Sequence, residues 1–300
     1  MRVLLTGGNG QIGFELRRAF SVFAQVIAPC KQELDIGSAD SILAWVRRHR
    51  PELIVNAAAY TAVDQAEAEP EKARRINAEA VGLLAEEADR LNAWLVHYST
   101  DYIFNGEKTA PYEEDDQADP LSVYGRTKFE GEERIRQRQA KHLIFRTSWV
   151  YAARGNNFVK TILRLAKDKE RLNVIADQQG APTSAELIAD VTALALHRIG
   201  QMESSTAVAG TYHLAAQGET SWHGYAQYIL NVAKDSGVSL KAGPGEVHPI
   251  PTEAYPLPAR RPRNSRLSVS KLTRIFRVHL PDWRDHVLRV VQELADRGAR

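Results

Sequence analysis

The sequence predicts an α/β protein: a Rossmann-type, doubly wound parallel sheet with a smaller C-terminal α/β lobe. Three observations carry that prediction. Apolar runs alternate with helical stretches through the first half of the 300 residues, which is the pattern of a parallel sheet with right-handed crossovers. A glycine cluster, Gly7, Gly8 and Gly10, follows the first apolar run directly. After about residue 150 the rhythm loosens, and longer irregular segments separate the helices.

Taken in order, RVLLTG at 2–7 reads as a buried parallel strand. QIGFELRRAFSVF at 11–23 puts Ile12, Leu16, Ala19, Phe20 and Phe23 on one helical stripe. AQVIAP is a second strand, and SADSILAWVRRHR a helix capped by Ser38 and closed by Pro51. ELIVNAAAY is a third strand, after which Pro70 opens one long helix over EPEKARRINAEAVGLLAEEADRLN. AWLVHYST is a fourth strand, VYGRTKFEGEERI (123–135) begins a helix, and HLIFRTSWVY is a later strand. NNFVKTILRLAK and AELIADVTALALHRI are helical. The proline-rich stretch 242–265 is expected as one long loop over a site rather than a linker between domains.

Composition bounds the function. Hydrophobic content of 44% and charged content of 25% fit a soluble globular chain. Cys30 is the sole cysteine, so an internal disulfide is excluded and a reducing, cytoplasmic compartment is expected. MRVLLTGG reaches glycine too soon for a signal peptide, and no apolar run approaches the ~18 residues of a membrane span. A net charge of +2 gives no global bias toward nucleic acid.

The glycines have a job. Gly7, Gly10 and Gly13 form G-x-x-G-x-x-G between a strand and a helix. A dinucleotide pyrophosphate needs a tight turn, close backbone approach and a helix N-terminus aimed at it. The expected division is therefore 1–150 for NAD(P) binding, with some later segments returning to it, and 151–300 for the second ligand. Beyond the second strand stand Cys30 and Lys31, with Glu33 and Asp35 the first acids. An acid at the strand end would favour NADH, whereas Lys31 either offsets a 2′-phosphate or is a surface lysine. Asp35 and Ile36 are placed beside the adenine.

Tyr124 and Lys128 lie four apart and share a helix face. A tyrosine with a pKa near ~10 exchanges protons poorly at neutral pH unless a neighbouring ammonium stabilises its phenolate. A hydroxyl at the end of the fourth strand, Ser99 or Thr100, would polarise a carbonyl oxygen. The order of glycine loop, Ser-Thr at a strand end and Tyr-x-x-x-Lys points to hydride transfer to a ketone. Trp149, at a strand end, either packs in the core or stacks on a sugar or base. Asp101 caps its turn or bonds a sugar hydroxyl. Arg260, Arg261, Arg263 and Arg266 are a solvated surface or a diphosphate clamp. His97, inside a strand, reads as a satisfied core histidine.

Those motifs make the chain resemble the extended short-chain dehydrogenase/reductases. Within them it is similar to the dTDP-4-dehydrorhamnose reductase family, through VNAAAYTAVDQAE, HYSTDYIFNG, VYGRTKFEGE, IFRTSWVYA, GNNFVKT, DQQGAPT and PARRPRNSRL. The resemblance implies Thr100, Tyr124 and Lys128 as catalytic residues. It implies Gly10, Gln11 and Ile12 at the cofactor phosphates, and Asp35, Ile36, Ala59, Tyr60, Thr61 and Tyr98 elsewhere in the NADPH or NADH site. Thr100, Asp101, Tyr124 and Trp149 would contact a nucleotide sugar. Glu15, Glu186 and Glu293 match positions that bind Mg²⁺ at a dimer contact in members of the family. The implied activity is reduction of a C4 ketone that completes dTDP-rhamnose for bacterial surface polysaccharide. Among rivals of this fold, a 4,6-dehydratase wants Asp-Glu after the threonine, where this chain has Asp101-Tyr102. An epimerase-reductase of the GDP-fucose type wants a catalytic cysteine, and Cys30 is at the adenosine end. A non-catalytic binding subunit, like the regulatory subunit of methionine adenosyltransferase, is the remaining alternative.

Overall fold

The computed structural model describes residues 1–298 apart from Gln139 and Glu203. Five strands of the first half build most of the sheet: β1 (Arg2–Thr6), β2 (Gln25–Ile27), β3 (Leu53–Asn56), β4 (Trp94–Thr100) and β5 (His142–Thr147). The strand Gly210–His213 returns from the second half and adds to the free edge of β5. The spatial order is Gly210–His213, β5, β4, β3, β1, β2, with every pair parallel. The chain reverses its direction of travel between β1 and β3, so a crevice opens beyond their C-terminal ends, at Thr6 and Asn56.

Strand alternation sends side chains to two apolar layers. Val3 and Leu5 of β1 face the layer holding Leu16 and Phe20, while Leu4 faces Ile42, Val46, Leu84 and Ile135. β2 is shorter than its apolar run because it forms the outer edge.

The long helix after Pro70 is interrupted. Helical turns at Pro70–Arg74 and Ala80–Arg90 flank a π-helical turn at Arg75–Glu79. That wider turn turns Asn77 out of the helix. Its side chain accepts from Tyr60 N at 2.8 Å, donates to Tyr60 O at 3.1 Å and donates to Thr127 Oγ1 at 3.2 Å. It thereby docks the helix Val123–Arg138 beside β4.

The stretch 242–265 is not one loop. Val247–Ile250 pairs in parallel with Leu172–Ile175. Pro249 is accommodated because this two-stranded ribbon has an open edge where its missing N–H costs no ladder bond. The remainder of the stretch crosses back to the first half, where Arg261 bonds Asp64 at 2.8 Å.

Candidate active site

The glycine loop has the shape its spacing predicts. Gly7 has φ +70°, and a Cβ there would lie 2.6 Å from the Ala58 nitrogen. A Cβ on Gly13 would run into the Gly7 carbonyl, so Gly13 lets the helix Gln11–Phe20 start against the strand. Gly10 caps that helix without a side chain, and no acidic residue occupies its first turn. The free N–H groups and the positive helix end are left for an anion.

Two cavities meet at this loop. One, of about 400 Å³, is lined by Lys31, Asp35, Ile36 and Ala59. Asp35 Oδ1 accepts from Gly37 N at 2.9 Å. The exposed Lys31 makes no ion pair among the described residues. The other cavity, of about 640 Å³, is lined by Gln11, Ile12, Thr61, Tyr98, Thr100, Asp101, Tyr124, Lys128 and Trp149. Gly7, Gly10 and Ala59 line both, so the two form one trough over the crevice. It can cradle a nicotinamide dinucleotide: the glycines leave room that any side chain would fill, and the helix end supplies donors. Tyr60 departs from expectation. Its phenol donates to Glu69 Oε2 at 2.7 Å and lines neither cavity, because Asn77 holds its backbone from the other side.

At the reacting end, Thr100 Oγ1 accepts from Tyr102 N at 3.2 Å and donates to Asp101 Oδ1 at 3.1 Å. Asp101 is buried, with Oδ2 left without a hydrogen bond among the described residues. Burial pushes its carboxyl up to about 6 against the nearby hydroxyls. Burial pushes the Tyr124 phenol up to about 12; the Thr100 hydroxyl acts against that and the Asp101 charge with it. Lys128 lines the same cavity as Tyr124. Its Nζ donates to Tyr98 O at 2.6 Å and lies 3.1 Å from His97 Nε2. Burial pushes the ammonium down to about 8, and Glu132 one turn on acts against that.

Trp149 carries a left-handed φ of +49°. Its indole stacks on Trp222 at 3.7 Å and lies over Gly180, where a Cβ would stand 2.7 Å from the ring. Strain of this kind persists only where surrounding packing enforces it. Trp222 is anchored by Nε1 donating to Gln178 Oε1 at 3.1 Å. Gln178 also lines a third cavity, of about 660 Å³, with Arg260, Arg261 and Arg263. Arg261 is committed to Asp64, Arg263 to Glu253 at 2.5 Å, and Arg266, outside the cavity, to Glu219 at 2.9 Å. Arg260 is exposed and makes no ion pair among the described residues.

A family model described as the RmlD substrate binding domain matches residues 1–296. The dTDP-4-dehydrorhamnose reductases of Shigella flexneri and Escherichia coli K12 are each 48% identical over 98% of both chains. The chain belongs to this family. The crystal structure of dTDP-4-dehydrorhamnose reductase from Bacillus anthracis in complex with NADP is similar with a TM-score of 0.88 and 34% identity, over 97% of this chain and 99% of that one. An ortholog structure from Clostridium acetobutylicum also gives 0.88 and 34%, covering the whole of both chains.

The three glutamates that the family resemblance ties to magnesium at a dimer contact can be located in the single chain. Glu15, Glu186 and Glu293 do line one cavity, of about 410 Å³. In the single chain Glu15 pairs with Arg18 at 2.9 Å, Glu186 with Arg289 at 2.8 Å, and Glu293 with Arg297. Among the described residues no cluster of three His, Cys, Asp or Glu is placed to hold a metal ion. Sequence reasoning also missed residues. Trp222 carried no signal beyond being an aromatic in a helical stretch, and Asn56 stood inside an apolar strand. His97 is the satisfied core histidine foreseen, with Asn56 and Lys128 as its partners.

Proposed function

We propose that this chain reduces the C4 ketone of dTDP-4-dehydro-β-L-rhamnose to dTDP-β-L-rhamnose with NADPH or NADH. The reading rests on one observation above all. The glycine loop, Thr100, Tyr124 and Lys128 converge on a single trough with Trp149 at its far side. Family membership supports the nucleotide sugar and the nicotinamide cofactor. When bound, the cofactor supplies the hydride.

The chain's own residues do the rest. Gly7, Gly10, Gln11 and Ile12 hold the cofactor phosphates, and Gly13 permits the close helix start. Asp35, Ile36, Ala59 and Thr61 border the adenosine half, with Tyr98 at the inner half. Tyr60 contributes backbone at most. Lys31 stands where a 2′-phosphate would need a cation, which favours NADPH. Tyr124 donates a proton to the ketone oxygen, so the carbonyl becomes an alcohol as its carbon is reduced. Thr100 orients that oxygen. Lys128 holds one N–H toward the trough, and its charge offsets the phenolate left on Tyr124. Asp101 receives a sugar hydroxyl at its unpartnered Oδ2, and Trp149 lies against the sugar. Arg260 is the guanidinium free to take a diphosphate. Residues 1–150 with Gly210–His213 form the cofactor lobe, and the remainder of 151–300 the sugar-nucleotide lobe.

The test is NADPH oxidation, followed by absorbance, with the ketone generated in place from dTDP-glucose by a dehydratase and a 3,5-epimerase. Oxidation that requires both upstream enzymes is the expected result. No oxidation with either cofactor, from protein that still binds NADPH, would overturn the reading in favour of another nucleotide sugar or a binding subunit.

A further inference from the structure

A line of buried polar side chains runs along the trough and ends on Lys128; its first member, Thr6, borders the smaller cavity, and Asn56 borders the larger. Thr6, Asn56 and His97 sit at paired register positions on β1, β3 and β4, so their side chains emerge side by side on one face of the sheet. All three are within 1% of complete burial, and Lys128 is 2% exposed. Thr6 Oγ1 donates to Asn56 Oδ1 at 2.6 Å, and the Ala58 N–H reaches the same oxygen at 3.3 Å. Those two donors fix the amide's orientation. The amide nitrogen then faces His97 Nδ1 at 3.0 Å. An amide nitrogen only donates, so Nδ1 accepts, and the single proton of the neutral ring lies on Nε2. That N–H points at Lys128 Nζ, 3.1 Å away.

We propose that Asn56 and His97 are positioning residues for Lys128: Asn56 selects the His97 tautomer whose Nε2–H faces Nζ, and the pair thereby sets where the lysine points and how readily it holds its third proton. As an amine, Nζ donates to Tyr98 O, accepts from His97 and keeps one N–H for the trough. As an ammonium, it turns a third N–H against the His97 donor, so its charge is opposed from behind. Glu132 supports the charge from one turn along the helix. The balance leaves Lys128 near its working pH, where a proton-handling group is most effective. Burial, followed by the Lys128 charge, holds His97 well below its ordinary range. Its imidazolium is therefore not formed, and Asn56 cannot pass a proton on. The chain positions Lys128; it does not relay protons.

This inference rests on the reductase reading for its kinetic half only. Histidine ¹⁵N NMR of the full chain, without substrate, tests the tautomer directly. His97 is expected to show an unprotonated Nδ1 and a protonated Nε2 across the neutral range. Asn56→Asp turns that around, because a carboxylate accepts from Nδ1–H and hands the Nε2 lone pair to the ammonium. In the NADPH oxidation assay, His97→Leu should lower kcat roughly 10- to 100-fold, the scale of a misplaced catalytic group, with NADPH affinity held. Asn56→Asp should move the basic limb of the pH profile up by about one unit or more, and His97→Leu in the same chain should abolish that movement. His97→Gln, which keeps a polar partner at Nζ, should recover part of the loss and guards against misfolding of the leucine variant. A protonated Nδ1 in the unaltered protein, or a folded His97→Leu protein with unchanged kcat and pH profile, would overturn the proposal. If the unaltered protein binds NADPH but reduces nothing, the reductase reading falls and the NMR result still decides the tautomer.

Discussion

Tyr124 begins with a handicap. Burial and Asp101 hold its phenol up at about 12, and only the Thr100 hydroxyl is close enough to act against them. A phenol of that kind keeps its proton until a ketone oxygen and Lys128's charge are both at hand, which suits an acid that must not ionise early. Tyr124→Phe should lower turnover by about 10²-fold or more, the scale of a general acid, while NADPH affinity measured by fluorescence stays put. Unchanged turnover would remove Tyr124 from the chemistry. Asp101 makes a stability prediction of the opposite kind. Its folded value of about 6 lies above the ordinary 3.8, so the folded state binds the proton more tightly than the unfolded chain. Stability attributable to Asp101 is therefore present at low pH and lost as pH rises from about 4 to about 6. Asp101→Asn does not ionise, so its thermal midpoint should fall less than the unaltered protein's over that rise. Parallel curves would show that the site already relieves the charge.

At the scale of elements, the glycine loop ties sequence to site most directly. Gly13→Ala should cost about 3 kcal/mol through overpacking against the Gly7 carbonyl, and should weaken NADPH binding because the helix end moves. A midpoint and affinity like those of the unaltered protein would show that the strand and helix can part. This loop was legible because G-x-x-G-x-x-G between a strand and a helix has few other uses. Tyr124 and Lys128 were legible for a similar reason: four residues on a helix is one turn, whatever surrounds it. What was not legible depended on contacts distant in sequence. The π-turn at Arg75–Glu79 presents Asn77 to Tyr60 and Thr127, and nothing in RINAE announces it. Pro249 argued against a strand, yet an open ribbon edge tolerates it. The contacts of Lys128 with Tyr98 O and His97 were not legible because strand register, invisible in one sequence, put them within reach. The three glutamates did converge on a cavity, each beside an arginine in helical or spatial reach.

Across the whole molecule, buried ionisable groups knit the halves together and make the fold sensitive to acid. Arg146 of β5 bonds Glu132 of the Tyr124 helix at 2.7 Å, both almost wholly buried, and also reaches Glu114 O at 2.9 Å. Glu114 in turn accepts from His213 N at 2.9 Å, on the strand that returns from the second half. His213 Nδ1 lies 3.1 Å from Tyr112 O and faces the Arg146 charge. Burial, then Arg146, pushes its imidazole down to about 3, and His97 is lowered likewise. For both, the folded value lies below that of the unfolded chain, near ~6.5. Their contribution is thus fully present above that pH and is lost as pH falls toward the folded values. Between pH ~6.5 and pH ~5 each histidine should remove up to about 2 kcal/mol, more than the smaller gain as Asp101 takes up its proton. Net stability should therefore fall over this interval. His213→Gln can still donate to Tyr112 O but takes up no proton. Denaturant midpoints at the two pH values should fall less for this variant than for the unaltered chain. An equal fall in both would mean that His213 takes up its proton in the folded protein as readily as in the unfolded chain.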